Sequence, residues 1–175
     1  MRLLHFIVLI NLFSSNLFAQ NIVVVNIQML IDNNASYKKA IKNIENSQET
    51  YFQQFEKEEE NLKNILTDIE DSKLILNDNE LNSKIDNYND QLSNYSIKIE
   101  KFNNHYQNQI ILIREVIFNE IMNILEKYAT NNNIELILDS TTYLIASNSL
   151  DITIDINSEL EKINLNLEYK NFEKN

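Results

Sequence analysis

From Tyr37 onward the chain sets a seam residue alternately four and three positions apart: Tyr37, Ile41, Ile44, Gln48, Tyr51, Phe55, Glu58, Leu62, Ile65, Ile69, Ser72 and Leu76. Only Gln48, Glu58 and Ser72 interrupt an otherwise apolar or aromatic series. The average step is that of a helix whose seam packs along a second helix. After Asn77-Asp78-Asn79 the pattern restarts through Leu81, Ile85, Tyr88, Leu92, Tyr95, Ile99, Phe102 and Tyr106. It then shifts phase to Ile110, Ile113, Ile117, Ile121, Ile124 and Tyr128, and such slips change the local supercoil. A seam this long needs a partner of matching length. Two similar runs about an Asn-Asp-Asn turn supply one as an antiparallel hairpin over residues 35–129. At ~1.5 Å per residue, arms of about 45 residues each extend roughly 65–70 Å. The alternative is a single long helix in a parallel dimer. Seam aromatics such as Tyr51, Phe55, Tyr88, Tyr95, Phe102 and Tyr106 suit that poorly.

The sequence has no Gly, Pro or Cys. A phosphate-binding loop, a dinucleotide fingerprint and a nucleophile elbow all need glycine where the backbone crowds a ligand or turns sharply. A thiolate metal site and a disulfide frame are excluded as well. Turns must rely on Asn and Asp, which tolerate left-handed backbone better than other non-glycine residues. Net charge is -11, against nucleic-acid binding, which requires a basic face.

The ends are built differently. Met1-Arg2, an apolar Leu3–Phe13 and a polar break before Ala19 have the layout of a cleaved secretory signal over residues 1–19. The run is too short to span a bilayer. Ile22–Ile27 is rich in β-branched residues and reads as a strand, with Asp32-Asn33-Asn34 opening the first arm. Beyond Asn131-Asn132-Asn133, Ile134–Leu138 and Tyr143–Ala146 flank a turn cluster and predict a β-hairpin, hence a three-stranded sheet. Ile152, Ile156, Leu160, Ile163 and Leu167 predict a final amphipathic helix, capped by Asp151 or Thr153, or begun later at a Ser158…Glu161 capping box. Glu168–Asn175 reads as a frayed tail. The expected class is α+β: a long coiled-coil hairpin inserted in a small β body (residues 20–34 and 130–175) with a short C-terminal helix.

In order, the chain carries an N-terminal signal and then Val-Val-Val-Asn-Ile-Gln-Met-Leu-Ile…Tyr-Lys-Lys-Ala. A coiled-coil hairpin follows, then Ile-Glu-Leu-Ile-Leu-Asp-Ser…Ala-Ser-Asn-Ser-Leu-Asp-Ile-Thr. This order resembles the OmpH/Skp family of periplasmic chaperones. The resemblance implies a homotrimer in which strands of three chains form one β-barrel body and three hairpins hang around a cavity. It implies a periplasmic holdase that binds unfolded outer-membrane proteins without ATP or cofactor and passes them on for membrane assembly, with at most peripheral membrane contact. The trimer body would include Val23, Val25, Ile27, Leu136, Leu138 and Leu144. Asn26 stands where Asp is frequent, Ser36 near a usual Gly, Ile145 where Tyr is common and Asn148 where Pro is common. The best-known members have basic arm tips. Here Lys63, Lys73 and Lys84 face Asp68, Glu70, Asp71, Asp78, Glu80, Asp86 and Asp90, so client capture must rest on apolar contact.

Off the seam, Phe52, Leu66 and Ile97 are candidate client contacts; the alternative is that they widen the arm-to-arm seam. His105 reads as a helix-surface residue and Glu56–Glu60 as a solvated face, so no metal, catalytic or cofactor set is expected. A non-catalytic adaptor or spacer with one fixed partner is the second functional reading.

Overall fold

The computed structural model describes residues 21–172; the expected signal segment and the last three tail residues lie outside them. Strand β1 (Ile22–Val25) leads into a short helix α1 (Ile27–Asn33), then the two arms, α2 (Ala35–Ser72) and α3 (Asp78–Asn132). Strand β2 (Leu136–Asp139), a one-turn 3-10 helix (Asn148–Leu150) and helix α4 (Thr153–Leu160) follow. The α+β hairpin architecture holds.

Asparagine serves the helix ends, as the missing glycine required. Asn26 Oδ1 accepts from Met29 N at 2.9 Å to start α1, and Asn34 Oδ1 accepts from Tyr37 N at 3.0 Å to start α2. Asn77 accepts from Glu80 N while Glu80 Oε2 accepts from Asn77 N, a reciprocal capping box that starts α3. Asn133, at φ 53°, ends α3 in the left-handed region. The turn between the arms therefore lies at residues 73–77 and meets the expected Asn-Asp-Asn triplet only at Asn77, the cap of α3, whose first turn takes in Asp78 and Asn79.

The seam is where the period placed it. Every first-arm seam position is buried or half-buried, the polar three included, and in the second arm Leu92 alone is exposed. The arms are unequal, however: α2 has 38 residues and α3 has 55. The surplus turns of α3 run past the start of α2 into the base. There Ile117, Ile121, Ile124 and Leu125 meet Val23 and Val25 of β1, Leu30 and Ile31 of α1, and Ile152, Ile156 and Leu160.

Four expectations at the ends are corrected. The first strand stops at Val25 because Asn26 turns the chain into α1, whose first amide, Ile27 N, donates to Asp139 Oδ1 at 3.3 Å. The β-hairpin does not form. β2 pairs in parallel with β1 (Ile22 with Leu136 through Val25 with Asp139), and Ser140–Thr142 curl back onto Asp139 by hydrogen bonds. Residues 143–146 form no strand, and Leu144 and Ile145 are exposed. The place beside β1 is taken instead by Asp151, bridged to Val24, with Ile152 N donating to Val24 O at 2.9 Å. The sheet thus has two strands and one isolated bridge. The final helix ends at Leu160, so Ile163 and Leu167 lie beyond it, and Ser158 sits inside the helix. Asp151 Oδ1 accepts from Thr153 N at 2.8 Å at its start, and Thr153 Oγ1 in turn accepts from Asn26 N at 2.9 Å. Finally, the tail is not frayed through residue 172, because it lies along the hairpin.

Candidate functional site

Three surfaces project from this scaffold. The first is the outside of the arms. Phe52, Leu66 and Ile97 are all exposed, at 46%, 40% and 47%. The Phe52 ring also meets Phe102 edge-on, with centroids 5.6 Å apart, so this residue touches the seam as well as solvent. At the tip, Leu74 and Ile75 are almost fully exposed. The seam reading passed over both, because adjacent apolar residues off the heptad carry no periodic signal. Lys84 pairs with Asp68 and Lys98 with Glu58, so the arms are cross-linked by surface ion pairs of the kind worth little each. Glu58, from the acidic run, is one of these partners. Among the described residues there are no groups of three or more His, Cys, Asp or Glu able to hold a metal ion.

The second surface is at the base. Ile111, Phe118 and Met122 follow one stripe of α3 and are exposed, as are Leu112 and Val116. Beside that stripe, Val25, Ile27, Met122, Leu125 and Ile137 line a shallow apolar depression of about 470 Å³. The expected body residues divide here. Val23 and Val25 lie in the chain's own core, Ile27 and Leu138 are half-buried, and Leu136 and Leu144 are exposed. Arg114 ties the neighbouring elements together: its Nη2 donates to Gln28 Oε1 at 2.8 Å, and its guanidinium lies 6.0 Å from the centre of the Tyr37 ring. Asp139 organises the loop below. Burial pushes its carboxyl pKa up, but hydrogen bonds from the Thr141 hydroxyl and from the Ile27, Ser140 and Thr141 amides outweigh that. The group ends below its ordinary value.

The third surface lies midway along the hairpin, where rings from both arms converge. Phe102 is fully buried, with Phe55 5.0 Å and Tyr106 5.1 Å from it, centroid to centroid. The tail closes this cluster. Phe172 sets its ring edge-on to Phe102 at 5.4 Å and to Tyr51 at 5.6 Å. Tail main-chain groups are taken by hairpin side chains. Lys170 N donates to Gln109 Oε1 at 2.9 Å, and Lys170 O accepts from His105 Nε2 at 2.7 Å. Phe172 N donates to the Tyr106 hydroxyl at 3.3 Å, and Phe172 O accepts from the Tyr51 hydroxyl. His105 is therefore more than a helix-surface residue. Because a carbonyl only accepts, its Nε2 carries the hydrogen.

Comparison with known proteins finds a matching family model and matching solved structures. The family model for OmpH, described as outer membrane protein (OmpH-like), matches residues 21–160. A solved structure of an OmpH-like protein from Caulobacter crescentus, assigned as an outer membrane chaperone, superposes with a TM-score of 0.68 at 10% identity. That superposition covers 81% of this chain and 84% of the other. No curated protein matches.

Proposed function

This chain belongs to the OmpH-like outer membrane protein family, and from that premise we propose that it is an ATP-independent holdase for unfolded outer-membrane proteins in the periplasm. The carrying observation is the exposure of apolar side chains along arms that are already paired. Phe52, Leu66, Ile97, Leu74 and Ile75 stay in contact with water although the seam beside them is satisfied. A helix pair that needed only to stand up could carry polar residues at these off-seam positions, so the exposed apolar side chains along the arms support a binding role. Such contacts are non-directional, which suits clients that share apolar character and no sequence. The acidic arm is consistent with capture by apolar contact rather than by charge.

The active form in this proposal is a homotrimer. Its support is the base: an exposed stripe of Ile111, Phe118 and Met122, an apolar depression next to it, and exposed Leu136 on a strand with one unpaired edge. A two-stranded sheet is marginal alone, and further strands from other copies would complete it. The proposed cavity lies between the three hairpins, with Phe52, Leu66 and Ile97 as client contacts. No described helix is long and apolar enough to cross a membrane. On this reading membrane contact is peripheral, the signal segment is cleaved on export, and no cofactor or nucleic acid takes part.

The test is mass and refolding together. The mature chain should have the solution mass of a trimer and should keep a urea-denatured porin from aggregating without ATP. A chain that pulls down one folded partner and leaves porin aggregation unchanged would support the adaptor reading instead.

A further inference from the structure

Beyond α4 the chain doubles back as an extended strap. Ile163, Leu165, Leu167 and Tyr169 alternate with exposed Asn164, Asn166, Glu168 and Lys170, the two-residue period of a strand. The apolar set is half-buried against the hairpin. Ile163, Leu165 and Leu167 rest on the base core, while Leu167, Tyr169 and Phe172 rest on the ring cluster. Yet the strap joins no sheet among the described residues. What holds it is apolar packing, the main-chain hydrogen bonds with Gln109, His105, Tyr106 and Tyr51 already described, and two side-chain bonds: the Tyr169 hydroxyl donates to Asn43 O at 3.1 Å, and Ser47 Oγ donates to Asn171 Oδ1 at 2.8 Å.

We propose that this groove is a binding site for an extended polypeptide with apolar residues at every second position, and that the strap is its tethered occupant, displaced by client. Two observations carry this. Recognition is largely generic: four hydrogen bonds use amide and carbonyl groups that every polypeptide presents, two more use the Tyr169 and Asn171 side chains, and the packing takes an apolar residue at alternate positions through Tyr169 and then a ring at Phe172. A strand of an outer-membrane β-protein, apolar on its outward side at every second residue, has that pattern. The strap is also additional: the family match stops at residue 160, where α4 ends, so the hairpin and body that match the family are complete before the strap begins. The client identity rests on the holdase reading above, whereas the groove does not. A short tether gives the strap a high local concentration, so it shields the rings from weak or partial ligands. A client already held elsewhere on the arms competes on equal terms.

The experiment uses a labelled peptide of residues 161–172 and the full-length chain carrying Leu167→Ser, Tyr169→Ser and Phe172→Ser. Fluorescence anisotropy should show the peptide binding the variant roughly tenfold more tightly than the wild type, whose groove is occupied. A scrambled peptide with its apolar residues adjacent should bind neither, and denatured porin should displace the peptide from the variant. Failure of the peptide to bind a variant with native helicity and wild-type mass would overturn the groove. Binding that porin does not displace would overturn the assignment to client. Phe172→Ala alone, which leaves the buried core residues in place, is the second variant and should show a smaller gain in the same direction. Wild-type chain that fails to suppress porin aggregation would overturn the holdase reading separately, since the peptide measurement does not depend on it.

Discussion

The base and the tip of the hairpin use the same seam and reach different ends. At the base, Ile117 and Ile121 are fully buried because α1, α4 and β1 cover the face of α3 that α2 does not. Toward the tip Leu62 and Ile69 are still buried, but Ile65, Leu81, Ile85 and Tyr88 are half-buried, since a second helix covers the seam from one side. The lesson is that the arms are rooted rather than uniformly stable. Opening should begin at the tip, where apolar contacts are few and Leu74 and Ile75 already face water. Under the proposed holdase reading this is an advantage, because the free end can adjust to clients of different size while the root keeps the hairpin in place.

The contrast is tested most strongly by equivalent truncations. Ile121→Ala should cost ~2–5 kcal/mol, read as a lowered urea midpoint, because it opens a cavity in a closed core. Ile85→Ala should cost about 1 kcal/mol, as expected for a side chain that water already reaches. Equal losses at the two sites would break the distinction. Next in size is Asn77→Ala, which removes the side-chain half of the capping box, the Oδ1 that accepts from Asn79 N and Glu80 N. It should cost about 1 kcal/mol, confined to faster amide exchange around residues 73–85, with exchange in the base unchanged.

How much of this was legible beforehand follows the same divide. The seam was readable because a helix-to-helix contact is local and periodic, and Gln48, Glu58 and Ser72 kept their seam places despite being polar. Asn34 was visible in the break that opens the first arm, and its capping role follows from its chemistry; Asn26 lay inside the expected strand, and its cap appears only in the structure. Hidden were features fixed by contacts distant in sequence. Ile27–Leu30 continues a β-branched run, and it becomes helix because Asn26 caps it and Asp139 accepts from its first amide. Tyr143–Ala146 has the composition of a strand, yet Ser140–Thr142 curl back onto Asp139 rather than turning the chain alongside β2, and Asp151 takes the place beside β1. The strap was the hardest. Ile163 and Leu167 fit a helical stripe, Leu165 and Tyr169 fit an alternation, and only the groove between the arms decides for the second pattern.

Smaller effects sharpen the picture at the root and midway along the arm. The depressed Asp139 carboxyl contributes stability that is fully present above its ordinary value of 3.8 and fades as pH falls through the lower folded value. Acid titration of unfolding should show this loss at the base, and Asp139→Asn should flatten it. Smallest of all, a double-mutant cycle on Lys98 and Glu58 should return ~0.2–1 kcal/mol, decreasing with salt, because both side chains are partly exposed.

The central claim is that the exposed apolar side chains of the arms hold the client. Phe52→Ser, Leu66→Ser and Ile97→Ser combined test it most directly, in the porin-aggregation assay with helicity and mass checked in parallel. The account predicts a folded oligomer of wild-type mass whose suppression of porin aggregation is severely reduced. Undiminished suppression by that folded variant would contradict it.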